Sequence, residues 1–196
     1  CRLFDLEVAK MTKLITEKFG KFGEDVIRNT MLAFDAGYAW PADNIRDMYF
    51  KLKPAEDDNG HPQITTDGNS ALTMGLLAGG VRYGAGYPIT PWSTIMESLR
   101  IELQKYGGVF VQAEDELAAV SYAIGMAYSG HLAVTGSSGP GLSLKMEALG
   151  WATMAGLPLI VVNVQRGGPS TGLPTNVEQS DLMQAIYGSH GDTPRI

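Results

Sequence analysis

The feature that most constrains the fold is a strand–helix–strand pattern over residues 109–135. Val109–Gln112 is a short apolar stretch typical of a buried strand, and His131–Thr135 predicts a second strand. Between them, Asp115–Tyr128 has apolar residues at every third or fourth position, which predicts a helix. Strands joined by such a crossover are parallel, so the pattern indicates an α/β fold with a parallel sheet and flanking helices.

A glycine turn after the second strand indicates where a ligand would bind. Gly139-Pro140-Gly141 is predicted to open another helix, with free backbone N–H groups at the carboxyl edge of the sheet. Ligands of open α/β sheets bind at that edge, and Glu116 projects from it in the first turn of its helix. Glu114, Asp115 and Glu116 can be acidic residues that favour a helix N-terminus, or Glu116 can serve a ligand.

Two further residues have alternative explanations. The two prolines of Gly86–Pro91 interrupt regular structure, so the Thr90 hydroxyl is bonded either to its own turn or to a ligand. Arg166 follows the apolar strand Leu157–Val164, which we expect to be buried on both faces. A buried arginine needs an anionic partner, either in a salt bridge or in a ligand.

Other residues and elements are assigned from periodicity and turn signals. We interpret Met96 as a core residue, and His61, His131 and His190 as packing or loop residues. The first predicted helix has Leu6, Ala9, Leu14 and Ile15 on its apolar face, and Gly37 is expected to cap the second. Besides the helix Asp115–Tyr128, the predicted helices in chain order are Asp5–Lys18, Glu24–Phe34, Asn44–Lys53, Ser70–Ala78, Ser93–Lys105, Ser143–Ala155 and Asn176–Ile186.

Composition divides the chain of 196 residues near residue 60. Residues 1–60 are rich in charge and poor in glycine, whereas most of the 24 glycines lie in residues 61–196. The polar segment 54–66 is therefore the expected linker between a helical tail, 1–53, and an α/β domain, 67–196. Because the chain starts at Cys1 and ends where another apolar strand would begin, we expect it to be a piece of a longer protein.

Charge and cysteine content exclude several classes of function. A net charge of −6 argues against a nucleic-acid partner, since a phosphate-binding face needs clustered lysine and arginine. The single cysteine, Cys1, excludes a disulfide framework and a cysteine-ligated cluster within this chain. No apolar run is long enough to cross a bilayer, and no signal peptide is visible. From the single cysteine we expect a reducing, cytoplasmic compartment.

Four motifs together resemble a known enzyme family. They are Tyr87-Pro-Ile-Thr-Pro91, Glu116 with its helix, Thr135-Gly-Ser-Ser-Gly-Pro-Gly141 and Arg166-Gly-Gly-Pro-Ser-Thr-Gly172. In this order they make residues 66–196 similar to the alpha subunit of 2-oxoacid:ferredoxin oxidoreductases. The similarity is closest to the 2-oxoglutarate branch, in which a gamma domain is fused ahead of alpha. Residues 1–53 then resemble the C-terminal tail of that gamma domain.

The resemblance implies a pyrimidine-binding domain for thiamine diphosphate and assigns roles to three residues. Glu116 matches the glutamate that hydrogen-bonds N1′ of the aminopyrimidine ring and favours its imino tautomer. Thr90 matches the threonine that contacts the substrate carbonyl, and Arg166 matches the arginine proposed to hold the 2-oxoacid carboxylate. The positions expected to bind the cofactor are Tyr87, Pro88, Ile89, Thr90, Glu116, Ser138 and Gly139.

The resemblance also implies a partner chain. A diphosphate-binding motif and cluster cysteines are missing from this sequence. In the family, Mg²⁺ and a [4Fe-4S] cluster belong to the beta subunit, so we expect a hetero-oligomer that is active only with beta. Its reactants would be a 2-oxoacid, CoA and ferredoxin. Trp92 departs from the family, which often has a small residue there, and this leaves the size of the substrate open.

Two alternatives remain at this point. The chain can be the pyrimidine domain of another thiamine diphosphate enzyme, either transketolase-like or a non-oxidative decarboxylase. It can also be a non-catalytic nucleotide-binding or assembly module.

Overall fold

The computed structural model describes residues 2–4, 6–46 and 64–192. The chain separates into two compact units, Cys1–Gln63 and Ile64–Ile196, which are described in turn.

The first unit is helical. A 3₁₀ turn, Arg2–Phe4, precedes helix α1, Val8–Phe19, and a second turn, Gly20–Phe22, leads to helix α2, Glu24–Asn44. The half-buried side of α1 carries Val8, Met11, Thr12, Ile15 and Phe19. The face predicted for this helix was therefore wrong except at Ile15, and Leu14 is 54% exposed.

Helix α2 continues through the glycine that was expected to end it. The half-buried residues Phe34, Tyr38 and Pro41 keep helical spacing across Gly37, and the rings of Phe34 and Tyr38 stack at 6.2 Å. A glycine inside a helix costs only about 1 kcal/mol, which continued packing offsets. The predicted cap at Gly37 was wrong. Asn44 ends α2, and the rest of the helix predicted over Asn44–Lys53 lies largely outside the described residues.

The second unit is a parallel α/β layer structure, which confirms the predicted fold class. In chain order its elements are α3 Gly68–Ala78, β1 Tyr83–Gly86, α4 Ser93–Lys105, β2 Val109–Gln112, α5 Glu116–Tyr128, β3 Ala133–Ser137, α6 Gly139–Met154, β4 Leu159–Asn163 and α7 Leu182–Tyr187. The strands form one sheet in the order β2-β1-β3-β4, and all neighbours are parallel. Parallel strands end at one edge, so the segments after all four strands meet there.

The central strand β1 has no apolar pattern that would reveal it, because two of its four residues are Gly84 and Gly86. The indole of Trp92 lies over this strand and over β3, where a Cβ at Gly136 would collide with it. Trp92 is fully buried and belongs to the core cluster with Ile95, Met96 and Leu99. The residue that departs from the family pattern is therefore a core residue, and Met96 is confirmed as one.

The core lies on both faces of the sheet. Buried side chains of α3 and α4 pack against one face around Trp92 and Val134, and those of α5 and α6 pack on the other around Val120 and Ala133. No helix within the described residues is long and apolar enough to span a membrane.

Three predictions about the outer parts of the domain were wrong. Strand β2 is an edge strand with Val109 47% exposed, and β4 at the other edge is half-buried along its length. The last helix is shorter than Asn176–Ile186, because the chain before it pairs with the Arg166 segment. Gly167 N–H donates to the Asn176 carbonyl (2.8 Å), and Arg166 bridges to Gln179.

Candidate functional site at the carboxyl edge of the sheet

Glu116 is buried at the start of α5, and it is not the residue that caps this helix. Asp115 is the N-cap, and its carboxylate accepts a hydrogen bond from the Ala118 N–H (2.7 Å). Glu116 is only 6% exposed, and its Oε1 accepts one long contact, from Ser137 Oγ at 3.5 Å. Asp115 therefore makes the cap hydrogen bond, and Glu116 is an acidic residue of the first turn whose buried carboxylate is not used as the cap.

The N-terminus of α6 packs directly on the Glu116 side chain. A Cβ at Gly141 would lie 2.6 Å from Glu116 Oε1 and would also collide with Ser137 Oγ, so only glycine fits there. Ser138, the N-cap residue of α6, is fully buried, and its hydroxyl donates to the Val164 carbonyl (2.6 Å). These contacts join the ends of β3 and β4 to the start of α5.

A lysine that the sequence interpretation missed also contacts Glu116. Lys145, on α6, is fully buried, and its Nζ donates to the Glu116 carbonyl oxygen (3.0 Å) and to Thr135 Oγ1 (3.4 Å). Burial lowers the pKa of Lys145 to about 8, although the carboxylates of Glu116 and Asp115 act in the opposite direction. Helical spacing could have revealed it, since Leu142 and Leu149 place Lys145 on the buried side of α6.

Arg166 is the second buried cation of this edge, and it contacts Thr90. Its Nη1 donates to the Thr90 carbonyl (3.0 Å), and its Nη2 donates to the Thr171 carbonyl (2.7 Å). The side chain is 6% exposed, and its buried Nε has no hydrogen-bond partner within the described structure. No carboxylate oxygen of the described residues lies within 4.0 Å of this guanidinium, so the structure provides no salt bridge for it.

A cavity of about 360 Å³ connects Arg166 with the start of α6. Its lining includes Gly139, Pro140, Arg166, Glu178 and Asp181. Two of the residues singled out in the sequence, Gly139 and Arg166, therefore share one cavity.

The remaining predicted positions follow β1 at the same edge. Tyr87 is half-buried, Pro88 and Thr90 are exposed, and Ile89 packs against the core cluster that contains Trp92. Thr90 is thus an exposed residue whose main-chain carbonyl accepts a hydrogen bond from Arg166.

The histidines lie apart from this site where they are described. His131 stacks on Tyr83 at 4.0 Å between ring centroids, at the amino-terminal side of the strands. His190 lies near Gly150 of α6, and His61 lies outside the described residues.

A parallel α/β domain with a buried carboxylate and a buried guanidinium at its carboxyl edge belongs to the class of α/β ligand-binding domains. Comparison identifies the family within that class. Residues 74–196 match the model of the pyruvate flavodoxin/ferredoxin oxidoreductase, thiamine diphosphate-binding family, and the chain belongs to this family.

Individual relatives carry related names. The chain is 41% identical to the 2-oxoglutarate oxidoreductase subunit KorA of Mycobacterium tuberculosis over an alignment of 201 positions, which covers 98% of this chain and 30% of that protein. It is 53% identical over 125 residues, or 64% of its length, to the 2-oxoglutarate synthase subunit KorA of Methanothermobacter thermautotrophicus, covering 33% of that protein. It is 47% identical over 165 residues to the 2-oxoacid:ferredoxin oxidoreductase 1 alpha subunit of Aeropyrum pernix, with 79% and 26% of the two chains covered.

A solved structure is similar over the same length. The 2-oxoglutarate:ferredoxin oxidoreductase of Magnetococcus marinus, solved with 2-oxoglutarate, coenzyme A and succinyl-CoA bound, aligns with a TM-score of 0.82 at 41% identity. The alignment covers 98% of this chain and 33% of that chain. The chain thus spans about a third or less of the length of these relatives.

Proposed function

We propose that the chain is part of the alpha subunit of a thiamine diphosphate-dependent 2-oxoacid:ferredoxin oxidoreductase, with 2-oxoglutarate as its substrate. The reaction would convert the 2-oxoacid and CoA to acyl-CoA and CO₂ and pass the electrons to ferredoxin. The observation that carries the proposal is the buried Glu116 carboxylate at the carboxyl edge of the sheet, which the helix cap does not use.

The residues around Glu116 fit an aminopyrimidine ring. Glu116 Oε1 has only a long contact from Ser137 Oγ at 3.5 Å, so the carboxylate keeps hydrogen-bonding capacity for a ring nitrogen. Gly141 leaves no side chain between α6 and this carboxylate. We assign Glu116 to the hydrogen bond with ring N1′, and we assign the lining of the cofactor to Ser138, Gly139 and the segment Tyr87–Thr90.

Arg166 fits the carboxylate of a 2-oxoacid. Its guanidinium is buried without a carboxylate partner in the described part of the chain, and its Nε is free of hydrogen bonds there. A guanidinium pairs with carboxylates through parallel hydrogen bonds, so an anionic substrate would compensate this charge. The hydrogen bond from Arg166 to the Thr90 carbonyl (3.0 Å) brings these two residues together, and on that basis we assign Thr90 to the substrate carbonyl.

Thiamine diphosphate, when bound, supplies the carbon nucleophile and the electron sink for decarboxylation. The residues of this chain would position the cofactor and the substrate and would stabilise the charges that develop on them. Glu116 holds a proton at the ring nitrogen, Arg166 orients the substrate carboxylate, and Thr90 contacts the substrate carbonyl.

We further propose that a beta subunit completes the site. The described residues contain no group of three or more His, Cys, Asp or Glu side chains that could hold a metal ion. The proposal assigns Mg²⁺ and a [4Fe-4S] cluster to the beta subunit in a cytoplasmic hetero-oligomer. It also assigns residues 1–53 to the tail of a gamma-type domain, in line with relatives that match 98% of the chain.

The test is a Glu116→Gln substitution in the assembled enzyme, with reduction of ferredoxin or viologen as the readout. We expect turnover to fall by about 10²- to 10⁴-fold, the range typical of a lost acid–base group, while the subunits still assemble. Glu97→Gln, at an exposed position of α4, is the matched control and should leave turnover unchanged. Turnover near the wild-type level in Glu116→Gln would refute the assignment.

The substrate is tested with a panel of 2-oxoacids in the same assay with CoA. The highest kcat/KM should belong to 2-oxoglutarate. Product release without reduction of an electron acceptor would instead indicate a non-oxidative decarboxylase. Absence of thiamine diphosphate from the purified complex would indicate an assembly module.

A further inference from the structure

Lys145 has a position that ordinary packing does not explain. It lies on α6 with no solvent exposure, and its ammonium reaches the first turn of the neighbouring helix α5. The two acceptors of its Nζ are the Glu116 carbonyl oxygen at 3.0 Å and Thr135 Oγ1 at 3.4 Å. Both belong to segments that form the carboxyl edge of the sheet.

Burying an ammonium group lowers the stability of the fold, so a buried lysine suggests a role other than stability. No carboxylate oxygen among the described residues lies within 4.0 Å of Nζ, so the charge has no direct ion pair there. Burial of such a charge is unfavourable by several kcal/mol, and apolar side chains of similar volume are often as stable or more stable. A methionine would fill the same space, so stability alone does not account for a lysine at this position.

The shorter of the two Lys145 hydrogen bonds is made to Glu116, the residue that also contacts the start of α6. Gly141 and Lys145 are four residues apart, so they lie on the same side of α6, one turn from each other. Gly141 adjoins the Glu116 carboxylate, where a Cβ would lie 2.6 Å from Oε1, and Lys145 binds the Glu116 carbonyl. One face of α6 therefore fixes both the main chain and the side chain of Glu116.

We propose that Lys145 is a positioning residue for Glu116. The hydrogen bond from Lys145 Nζ to the Glu116 main-chain carbonyl would hold the Glu116 carboxylate in place for the thiamine aminopyrimidine ring. The inference rests on the proposed function, because it concerns how this chain prepares Glu116 for that ring. We assign to Lys145 an effect through Glu116 alone. Burial lowers the pKa of Lys145 to about 8, and the nearby carboxylates of Glu116 and Asp115 act in the opposite direction.

The test uses the assembled enzyme with Lys145→Met, which removes the ammonium and keeps a long side chain. The readout is exchange of the C2 proton of bound thiamine diphosphate with deuterium, followed by NMR after acid quench, because this step requires neither substrate nor CoA. Since a displacement of about 1 Å can cost 10²-fold, we expect exchange to slow by about 10- to 100-fold. The Tm should stay the same or rise, and the KM for the 2-oxoacid should stay the same.

Three further variants make the outcome specific. Lys105→Met applies the same chemical change at an exposed position of α4 and should leave exchange unchanged. Lys145→Arg keeps a cationic donor and should restore part of the exchange rate. If Lys145→Met fails to fold, Lys145→Gln replaces it, and a slowed exchange is again expected. A folded Lys145→Met or Lys145→Gln variant with exchange within twofold of wild type would overturn the inference.

Glu116→Gln in the same exchange assay separates this inference from the proposed function. If Glu116→Gln exchanges at the wild-type rate, the proposed function fails. If Glu116→Gln loses exchange while Lys145→Met keeps it, only the role of Lys145 is refuted.

Discussion

Lys145 and Arg166 are both buried cations at the carboxyl edge of the sheet, yet their charges are compensated in different ways. Lys145 is enclosed between α6 and the start of α5, where burial lowers its pKa to about 8 against the opposing effect of the Glu116 and Asp115 carboxylates. Arg166 is held by the carbonyl oxygens of Thr90 and Thr171 and lines a cavity of about 360 Å³. Lys145 is enclosed by the fold without a direct ion pair among the described residues, whereas Arg166 lines a cavity.

The difference indicates which parts of the site are complete in this chain. A lysine can lose its proton when it is buried, whereas an arginine stays charged. Lys145 can therefore lose its charge, whereas Arg166 keeps its charge beside a cavity that Glu178 and Asp181 also line. We infer that the Glu116 region is preformed and that the Arg166 region reaches its final electrostatic balance only with substrate.

The largest expected effect is the change with pH in the contribution of Lys145 to the free energy of unfolding. The folded-state pKa is about 8 and the ordinary value is near 10.5, so the unfolded chain binds more protons between these values. Stability contributed by this position should therefore rise with pH across that window. At about 1.4 kcal/mol for each pH unit, the gain is about 3 kcal/mol. The measurement is denaturant unfolding of the wild type and of Lys145→Met from pH 7 to 11.

The comparison with Lys145→Met isolates this position, because other lysines and tyrosines titrate in both proteins. Below pH 8 the lysine is charged in both the folded and the unfolded state, so the difference between the two proteins should be constant there. A difference that stays flat from pH 8 to 10.5 would show that Lys145 keeps its proton when folded, which would make the two cations alike.

The second effect tests the packing that makes the Glu116 region rigid. Gly141→Ala would place a Cβ against Ser137 Oγ and 2.6 Å from Glu116 Oε1, so the carboxylate must move. We expect turnover to fall by about 100-fold, since misplacement by about 1 Å can cost that much. The affinity for thiamine diphosphate should also fall, measured by titration calorimetry of the assembled enzyme.

Gly75→Ala is the matched control for this substitution. Gly75 lies in α3, and a Cβ there would meet no atom within 4 Å. Alanine at such a helical position should stabilise the protein by up to about 1 kcal/mol and leave turnover unchanged. Equal turnover in the two alanine variants would contradict a preformed Glu116 region.

The smallest expected effect concerns Arg166 and the cavity that it lines. Arg166→Lys keeps the charge but loses the planar fork, so it should raise the KM for the 2-oxoacid by about tenfold, as expected for one weakened charged hydrogen bond. The affinity for thiamine diphosphate should not change. Arg100→Lys, at an exposed position of α4, is the control. A loss of cofactor affinity in Arg166→Lys, with an unchanged KM, would place Arg166 on the cofactor instead of the substrate.

The sequence by itself determined the α/β class and the edge at which the site lies. The crossover between Val109–Gln112 and Ala133–Ser137 requires parallel strands, and parallel strands bring Thr90, Glu116, Ser138 and Arg166 to one edge. The resemblance of the motifs to a known family then predicted a role for each of these residues at a thiamine diphosphate site. Local pattern was enough for these statements because they depend on chain direction and on spacing along the chain.

Only the tertiary structure shows the position of each strand in the sheet and the contacts between residues that are distant in sequence. Edge strands and central strands look alike in apolar content, so β2 was predicted to be buried, and β1 was hidden by glycines that make room for Trp92. The partners of Glu116 on β3 and α6 lie 21 and 29 residues away in sequence, beyond the reach of local spacing. Helical spacing could have placed Lys145 on the buried side of α6, but its partners, the Glu116 carbonyl and Thr135, are set by distant contacts that only the tertiary structure shows.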